Sequence, residues 1–372
     1  MNFLQKYPFL QNLLSPFRRS QQKTAAEIIV ALCEAGAANS FSIAGRISAN
    51  QEIQLQSALN KLYRFLKNPR FSDWLLTEQL FSLFAERKRI LLSLDWTAWD
   101  DRFSLLVASV AVDKRAVPVA VSAVKKRLLA RSQNLWEETF LRLCADRLTS
   151  AKVRAIWLCD RGFRRVAWLQ SLVNLRQDFV VRLQSDVTVY LSETEKCLLK
   201  QISLEKGSFK DFGVVTLRQD KAIQVRLIGV WAKKSKEIWW LATNLKLPVQ
   251  DLVALYDRRM SVEEQFRDSK GARFGVRLKW TEFKRSEYLE RMYLLVGVAM
   301  LLWTAIGAQK EKSDPKVRLR SKKKGARISL VRIGVFYWQT MTKKLRLTTK
   351  FIKACLPKPK FRYFQWLVVN QN

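Results

Sequence analysis

Four residues in the stretch YDRRMSVEEQFRDSK combine the side chains needed to handle a phosphodiester. Tyr256, Arg259, Glu263 and Lys270 lie at i, i+3, i+7 and i+14, offsets that at 3.6 residues per turn share one stripe of a helix. The stripe sets an acid between two cations and a phenol. A phosphate backbone running along such a helix could be gripped by Arg259 and Lys270, leaving Glu263 free to ligate a metal. A solvated helix face with an i, i+4 ion pair between Arg259 and Glu263 satisfies the same spacing.

Two further acids sit where apolar segments end. The run LLSLDWTAW carries Asp95 directly after residues 90–94, and VRAIWLCDRGF carries Asp160 after residues 153–159, ahead of a turn at Gly162. Either aspartate alone fits a turn or a helix cap. Two of them at strand ends, with a third acid on a later helix among phosphate-binding side chains, point to a shared site. The sequence has 0 histidines in 372 residues, which removes histidine acid–base catalysis and histidine-ligated zinc. Metal ions held by carboxylates are the route to phosphodiester cleavage left open.

The elements that must position these residues follow from periodicity. Residues 103–113 and 116–124 read as strands joined by a short charged turn, so with residues 90–94 they form an antiparallel meander. A helix is expected over 135–148, the buried strand at 153–159, a helix over 166–175 and a strand over 179–183. Residues 187–191, 213–218, 223–232 and 238–245 alternate or run apolar as strands do. Before all of these, TAAEIIVALCEAG reads as a helix ending at Gly36, with a short segment at 42–47 and a helix over 51–66 following. Three such helices suit a helix-turn-helix bundle with Arg46, Lys61, Arg64 and Lys67 as phosphate contacts, or an ordinary packing bundle.

The chain resembles the bacterial insertion-sequence transposases of the fourth family, members of the DDE group. Their signature on the last catalytic helix is Tyr-x2-Arg-x3-Glu-x6-Lys, which Tyr256, Arg259, Glu263 and Lys270 match at every spacing. The aspartates in LDWT and CDRGF fit as well, so the resemblance runs from about residue 88 to 305. It implies an α/β fold: a ribonuclease H-like mixed-sheet catalytic core with a β-rich insertion, preceded by an α-helical N-terminal domain. The expected divisions are a helical DNA-binding domain at 1–87, the core at 88–184 and 248–308, the insertion at 185–247, and a basic appendage at 309–372.

The resemblance further implies that Asp95, Asp160 and Glu263 are catalytic and hold two divalent ions, Mg²⁺ or Mn²⁺. Arg259 and Lys270 would hold phosphates, and Tyr256 would position a phosphate or nucleotide. The implied activity is cleavage of the element's own ends and joining of the 3′-hydroxyls to target DNA. The partners would be double-stranded DNA and a second protomer in the DNA complex, with no membrane, in a cytoplasmic, nucleoid-associated protein. A non-catalytic DNA-binding derivative and a nuclease without strand transfer are the alternatives. In related enzymes that pass through a hairpin an aromatic ring of the insertion stacks a flipped base, a role open to Trp231, Trp239 or Trp240, as is plain core packing.

Composition agrees with a nucleic-acid partner. Lys and Arg number 67 against 32 acids, a formal charge of +35, while 48% hydrophobic residues leave ample material for a core. DNA binding by such a chain weakens steeply as salt rises. From residue 310 onward there are 18 Lys and Arg against 2 acids, with Lys322, Lys323 and Lys324 in a run that reads as a phosphate-binding arm. Residues 328–341 and 361–369 are apolar enough to fold or dock. The 5 cysteines are widely spread and read as reduced core residues. No signal peptide is expected, since Lys6, Pro8 and Pro16 interrupt the apolar residues at the start, and residues 293–308 read as a buried helix.

Overall fold

The computed structural model describes residues 3–87, 89–112, 115–218, 221–233, 235–270, 283–319, 328–341 and 347–356. Lys322, Lys323, Lys324 and the apolar run 361–369 lie outside the described residues.

The N-terminal stretch is helical: α1 (Pro8–Leu13), α2 (Arg19–Ala35), α3 (Ser40–Gln51), α4 (Leu55–Lys67) and α5 (Asp73–Ser82). Helix α2 ends as expected at Gly36, whose φ of +60° is the left-handed conformation a glycine adopts without strain. Caps set two of the starts. Asn39 accepts a hydrogen bond from the Ser42 amide and Ser72 from the Leu75 amide, each satisfying an orphan donor of the first turn. Pro8 occupies the first position of α1, where its missing N–H is no loss. Helix α4 buries Ala58, Leu62, Phe65 and Leu66 at helical spacing.

The sheet follows with β1 (Ile90–Ala98), β2 (Phe103–Val112) and β3 (Arg115–Lys125), the antiparallel meander that the sequence predicts. After α6 (Lys126–Leu129) and α7 (Gln133–Ser150), β4 (Ala155–Cys159) pairs parallel with β1. After α8 (Val166–Asn174), β5 (Asp178–Leu183) pairs parallel with β4. Parallel neighbours need a crossover, and the helical connections between these strands supply it.

The five strands β6 (Thr188–Tyr190), β7 (Lys196–Leu198), β8 (Phe209–Arg218), β9 (Ala222–Val230) and β10 (Trp239–Thr243) do not form a separate layer. Strand β10 pairs with β5, so the described strands make one ten-stranded mixed sheet in the order β3-β2-β1-β4-β5-β10-β9-β8-β6-β7. The short β7, three residues long, is too brief for alternation to mark it in the sequence.

Helices cover both faces. On one, α9 (Val249–Asp257) packs Leu252, Val253 and Tyr256 against Leu91, Ile156, Leu158 and Leu241 of the sheet. Then follow α10 (Ser261–Lys270), α11 (Ser286–Ser313), α12 (Leu330–Met341) and α13 (Thr349–Cys355). Helix α11 is long and apolar enough to cross a membrane, yet its apolar window is 94% buried inside the fold, against β3, α2 and α12. Close approach is built in at Gly297. A Cβ there would meet the carbonyl oxygen of Pro118 on β3 at 2.3 Å, closer than real Cβ contacts allow.

Glu290 on α11 accepts a hydrogen bond from the Ala123 amide of β3 at 2.7 Å. Burial, with the charges of Asp73 and Glu287 added, pushes its carboxyl up to about 7, against the pull of that hydrogen bond. A carboxyl whose folded pKa is raised keeps its proton longer in the native state, so its ionisation lowers stability as pH rises from about 4.5 to about 7. Glu290→Gln should therefore leave stability unchanged near pH 4 and raise it near pH 8, by on the order of 3 kcal/mol. Urea unfolding of both proteins across that range checks the sign. Equal curves at pH 8 would show that the carboxyl ionises there without penalty.

Candidate functional site

Register brings the first two acids together. Leu94 of β1 is the parallel neighbour of Cys159 of β4, so Asp95 and Asp160 stand side by side, Asp160 just past the end of β4 and Asp95 inside β1, which runs on to Ala98 in its pairing with β2 instead of ending at the acid as the apolar run 90–94 suggests. Side chains alternate along a strand, and Leu91 on β1 with Ile156 and Leu158 on β4 face α9. Asp95 and Asp160, even steps away, face the same side. Asp160 also caps a 3₁₀ turn over Arg161–Phe163, one carboxylate oxygen accepting the Gly162 amide at 2.8 Å. Its other oxygen is left for the site.

The third acid arrives from the helical segment, but not on a single continuous helix. A 3₁₀ turn, Arg258–Met260, separates α9 from α10. Tyr256 belongs to α9, Arg259 to the turn, and Glu263 and Lys270 to α10, so the four do not form one straight stripe. The break has a consequence for Arg259. It is 8% exposed, and its guanidinium reaches all three acids: Asp95 at 2.9 Å, Glu263 at 3.2 Å and Asp160 at 3.5 Å. Glu263 has a half-exposed side chain and faces the open side of the site.

Tyr256 departs from expectation. It is 2% exposed, packed with Leu252 and Val253 and edge-on to Trp239 with ring centroids 5.4 Å apart. Burial raises its phenol far above the usual range, so it stays protonated. A buried ring of this kind holds α9 to the sheet and offers no open face to a phosphate. Lys270 ends α10, and its side chain lies outside the described residues.

Burial raises the Asp95 carboxyl to about 6; Arg259 pulls against this while Asp160 and Glu263 push further. The acids thus repel one another and share one cation. Among the described residues no group of three or more acidic or cysteine side chains is arranged to hold a metal ion. The donor set nonetheless fits hard divalent cations, since it is anionic, oxygen-only and already gathered around a positive charge. What stands among the acids is Arg259, which sets their spacing.

Two supporting networks escaped sequence reading. Glu137 on α7, 1% exposed, accepts from Trp96 Nε1 at 2.8 Å and from Arg165 at 2.5 Å. Trp96 follows Asp95, and Arg165 begins the turn into α8 just after Asp160, so one buried carboxylate ties together the segments that carry both aspartates. Gln265 on α10 is fully buried and donates to Tyr293 of α11 at 3.0 Å, while Ser109 of β2 donates to it at 3.5 Å. It fixes the glutamate helix to sheet and core. On a helix, Glu137 and Gln265 look like ordinary surface residues, and only their neighbours from distant segments make them internal.

The other candidates are dispersed. Trp240 is buried beside Phe212, Trp239 lies between Tyr256 and the guanidinium of Arg182, and Trp231 is half-buried. Lys61 is occupied by the buried Glu27 at 2.5 Å, whereas Arg46, Arg64 and Lys67 are exposed.

Residues 89–298, which include Asp95, Asp160, Tyr256, Arg259, Glu263 and Lys270, match the family described as Transposase DDE domain. Among solved structures, the chain is similar to a piggyBac transposase in a cryo-EM synaptic complex with hairpin DNA. The identity is 10% and the TM-score 0.43, with 96% of this chain and 80% of that one covered. No curated protein matches.

Proposed function

The chain belongs to the Transposase DDE domain family, and from that premise we propose that it cleaves the ends of its own mobile element and joins the freed 3′-hydroxyls to target DNA. The observation that carries this reading is the meeting of Asp95, Asp160 and Glu263 on the single guanidinium of Arg259. Three acids from segments far apart in sequence share one site, and Tyr256, Arg259, Glu263 and Lys270 keep the spacing of the fourth insertion-sequence family's signature. The strand order β3-β2-β1-β4-β5, with a meander followed by parallel pairings, supports a ribonuclease H-like class for the core. Residues 1–87 would contribute to end recognition, 185–247 would be the insertion carried on the core sheet, and 309–372 a basic appendage.

Asp95, Asp160 and Glu263 would hold two Mg²⁺ or Mn²⁺ ions, which when bound activate the attacking oxygen and neutralise the leaving one. The chain's own work is positional. Glu137 and Gln265 hold the three acids in register, and Arg259 offers a fork of N–H donors that can pass from carboxylate to phosphate. Lys270 would hold a neighbouring phosphate. Lys322, Lys323 and Lys324 enter on charge alone. The partners would be duplex DNA and a second protomer within the DNA complex, in a nucleoid-associated cytoplasmic protein.

The test is a Mg²⁺-dependent cleavage and joining assay on the inverted repeats that flank the gene. Cleaved and joined products are expected; cleavage without joining would mark a nuclease, and binding without either a non-catalytic derivative. In the same assay Arg259→Lys should lose on the order of 10²-fold in rate, because an ammonium cannot bridge three carboxylates and misplaced groups cost rate steeply. Near-normal cleavage by this variant would reduce Arg259 to an exchangeable ion-pair partner.

A further inference from the structure

Beyond Asp95 the sheet continues into a surface that neither the sequence motifs nor the site accounts for. Strand β3 finishes at Lys125, and Lys126, Arg127 and Arg131 follow through α6 to the start of α7. Residues 125–136 contain four cations and no acid. Lys125, Arg127 and Arg131 are exposed, and among the described residues none of the four has an ion-pair partner. Leu135 is 67% exposed and Trp136 36%. The adjoining β1–β2 hairpin adds Asp100, neutralised by Arg102 at 2.6 Å, and the exposed Asp101.

Register locates this surface relative to the acids. Asp95 pairs with Val107, and Val107 with Val121, so Lys125 lies four residues further along the edge strand. At roughly 3.3 Å per residue along the strand and about 4.8 Å for each of the two strand spacings across, that is about 16 Å. Duplex DNA advances about 3.4 Å per phosphate on each strand, so the offset corresponds to about five base pairs. Glu137, immediately after Trp136, is hydrogen-bonded to Trp96, which ties the start of α7 to β1 one residue beyond Asp95, on the other face of the sheet.

We propose that residues 125–131, with Leu135 and Trp136, form a docking surface for the duplex flanking the phosphate held at the three acids. The cations neutralise consecutive backbone phosphates, and the two apolar side chains lie against the sugar faces beside them. A second copy of this chain is a poor occupant, since a face with four uncompensated cations repels a protein of charge +35. The proposal rests on the transposase reading only for which phosphate is cut.

The test measures DNA affinity of the full chain against salt, with and without the substitutions Lys125→Gln, Lys126→Gln, Arg127→Gln and Arg131→Gln combined. At roughly 0.9 per phosphate contact, the slope of log affinity against log salt should fall by up to about 3.6. All four lie on the surface, and circular dichroism and the melting temperature should be unchanged. The comparison variant, Lys152→Gln with Arg176→Gln, removes two exposed charges from turns at the far end of β4 and β5 and should leave the slope nearly intact. An unchanged slope in the quadruple variant, an equal loss per charge in the comparison variant, or an altered oligomeric state with normal DNA binding would each overturn the proposal. If the unsubstituted protein fails to cleave its element's ends while the slope still falls, the transposase reading fails and the docking surface stands.

Discussion

Asp95→Ala, Asp160→Ala and Glu263→Ala are each expected to lower cleavage of end DNA by roughly 10³-fold or more, to background, while end binding stays equal or tightens. The sign of the binding effect follows from charge. Each acid repels phosphate, and removing it from a site that already contains Arg259 leaves a more positive surface. Asp95→Asn and Asp160→Asn should fail as completely, since an amide keeps the shape and loses the charge a divalent ion requires. Gel-shift affinity and single-turnover cleavage on the same substrate separate the two quantities. Substantial cleavage by any one variant would remove that residue from the site, and a parallel loss of binding would make it a DNA contact. Glu263, with its half-exposed side chain, is the acid whose loss should disturb the fold least.

What could be read in advance was whatever short-range periodicity encodes. The meander, β4, β5 and the helices around them follow from alternation and apolar spacing, and the acids were visible because each ends an apolar run or keeps a fixed helical offset. The misreadings arose where tertiary contacts decide. The 3₁₀ break at Arg258–Met260 leaves no mark in the spacing, which suits a helix; it is visible only in the fold, where Arg259 meets Asp95 on β1 and Asp160 just past β4. Tyr256 has a polar tip and reads as a contact residue, yet the apolar neighbours of α9 carry it into the core. Lys61 reads as a surface cation until α2 brings Glu27 against it. The strands of 185–247 are legible in the sequence, whereas nothing local reveals that β10 pairs with β5 and extends the core sheet.

Arg291 carries the second large effect. It is 4% exposed on α11, and its guanidinium donates to the carbonyls of Phe65, Leu66 and Asn68, to that of Phe71, and through two nitrogens to Asp73. The first three are acceptors at and just beyond the end of α4, where the helix itself leaves its last carbonyls unpaired. One side chain thus caps α4, grips the first residue of α5 and anchors both to the helix that crosses β3 at Gly297. Arg291→Met keeps much of the volume but orphans those carbonyls and leaves the Asp73 carboxylate buried without its cation, at a cost of about 3–5 kcal/mol. Arg291→Lys should recover little, because three donors on a flexible stem cannot reproduce the planar fork. Adding Asp73→Leu to Arg291→Met should restore part of the loss, since the uncompensated buried charge is then gone, and the double-mutant cycle measures how much of the effect the pair carries. The location of the loss tells more than its size. If Arg291 is the tie between the N-terminal helices and the sheet, limited proteolysis of the Met variant should cut first between α4 and β1, with the sheet still protected. Uniform cleavage along the chain would show that the apolar contacts of α11 with α2 and α4 hold the two parts together without it, and that Arg291 only adds to the stability of the whole.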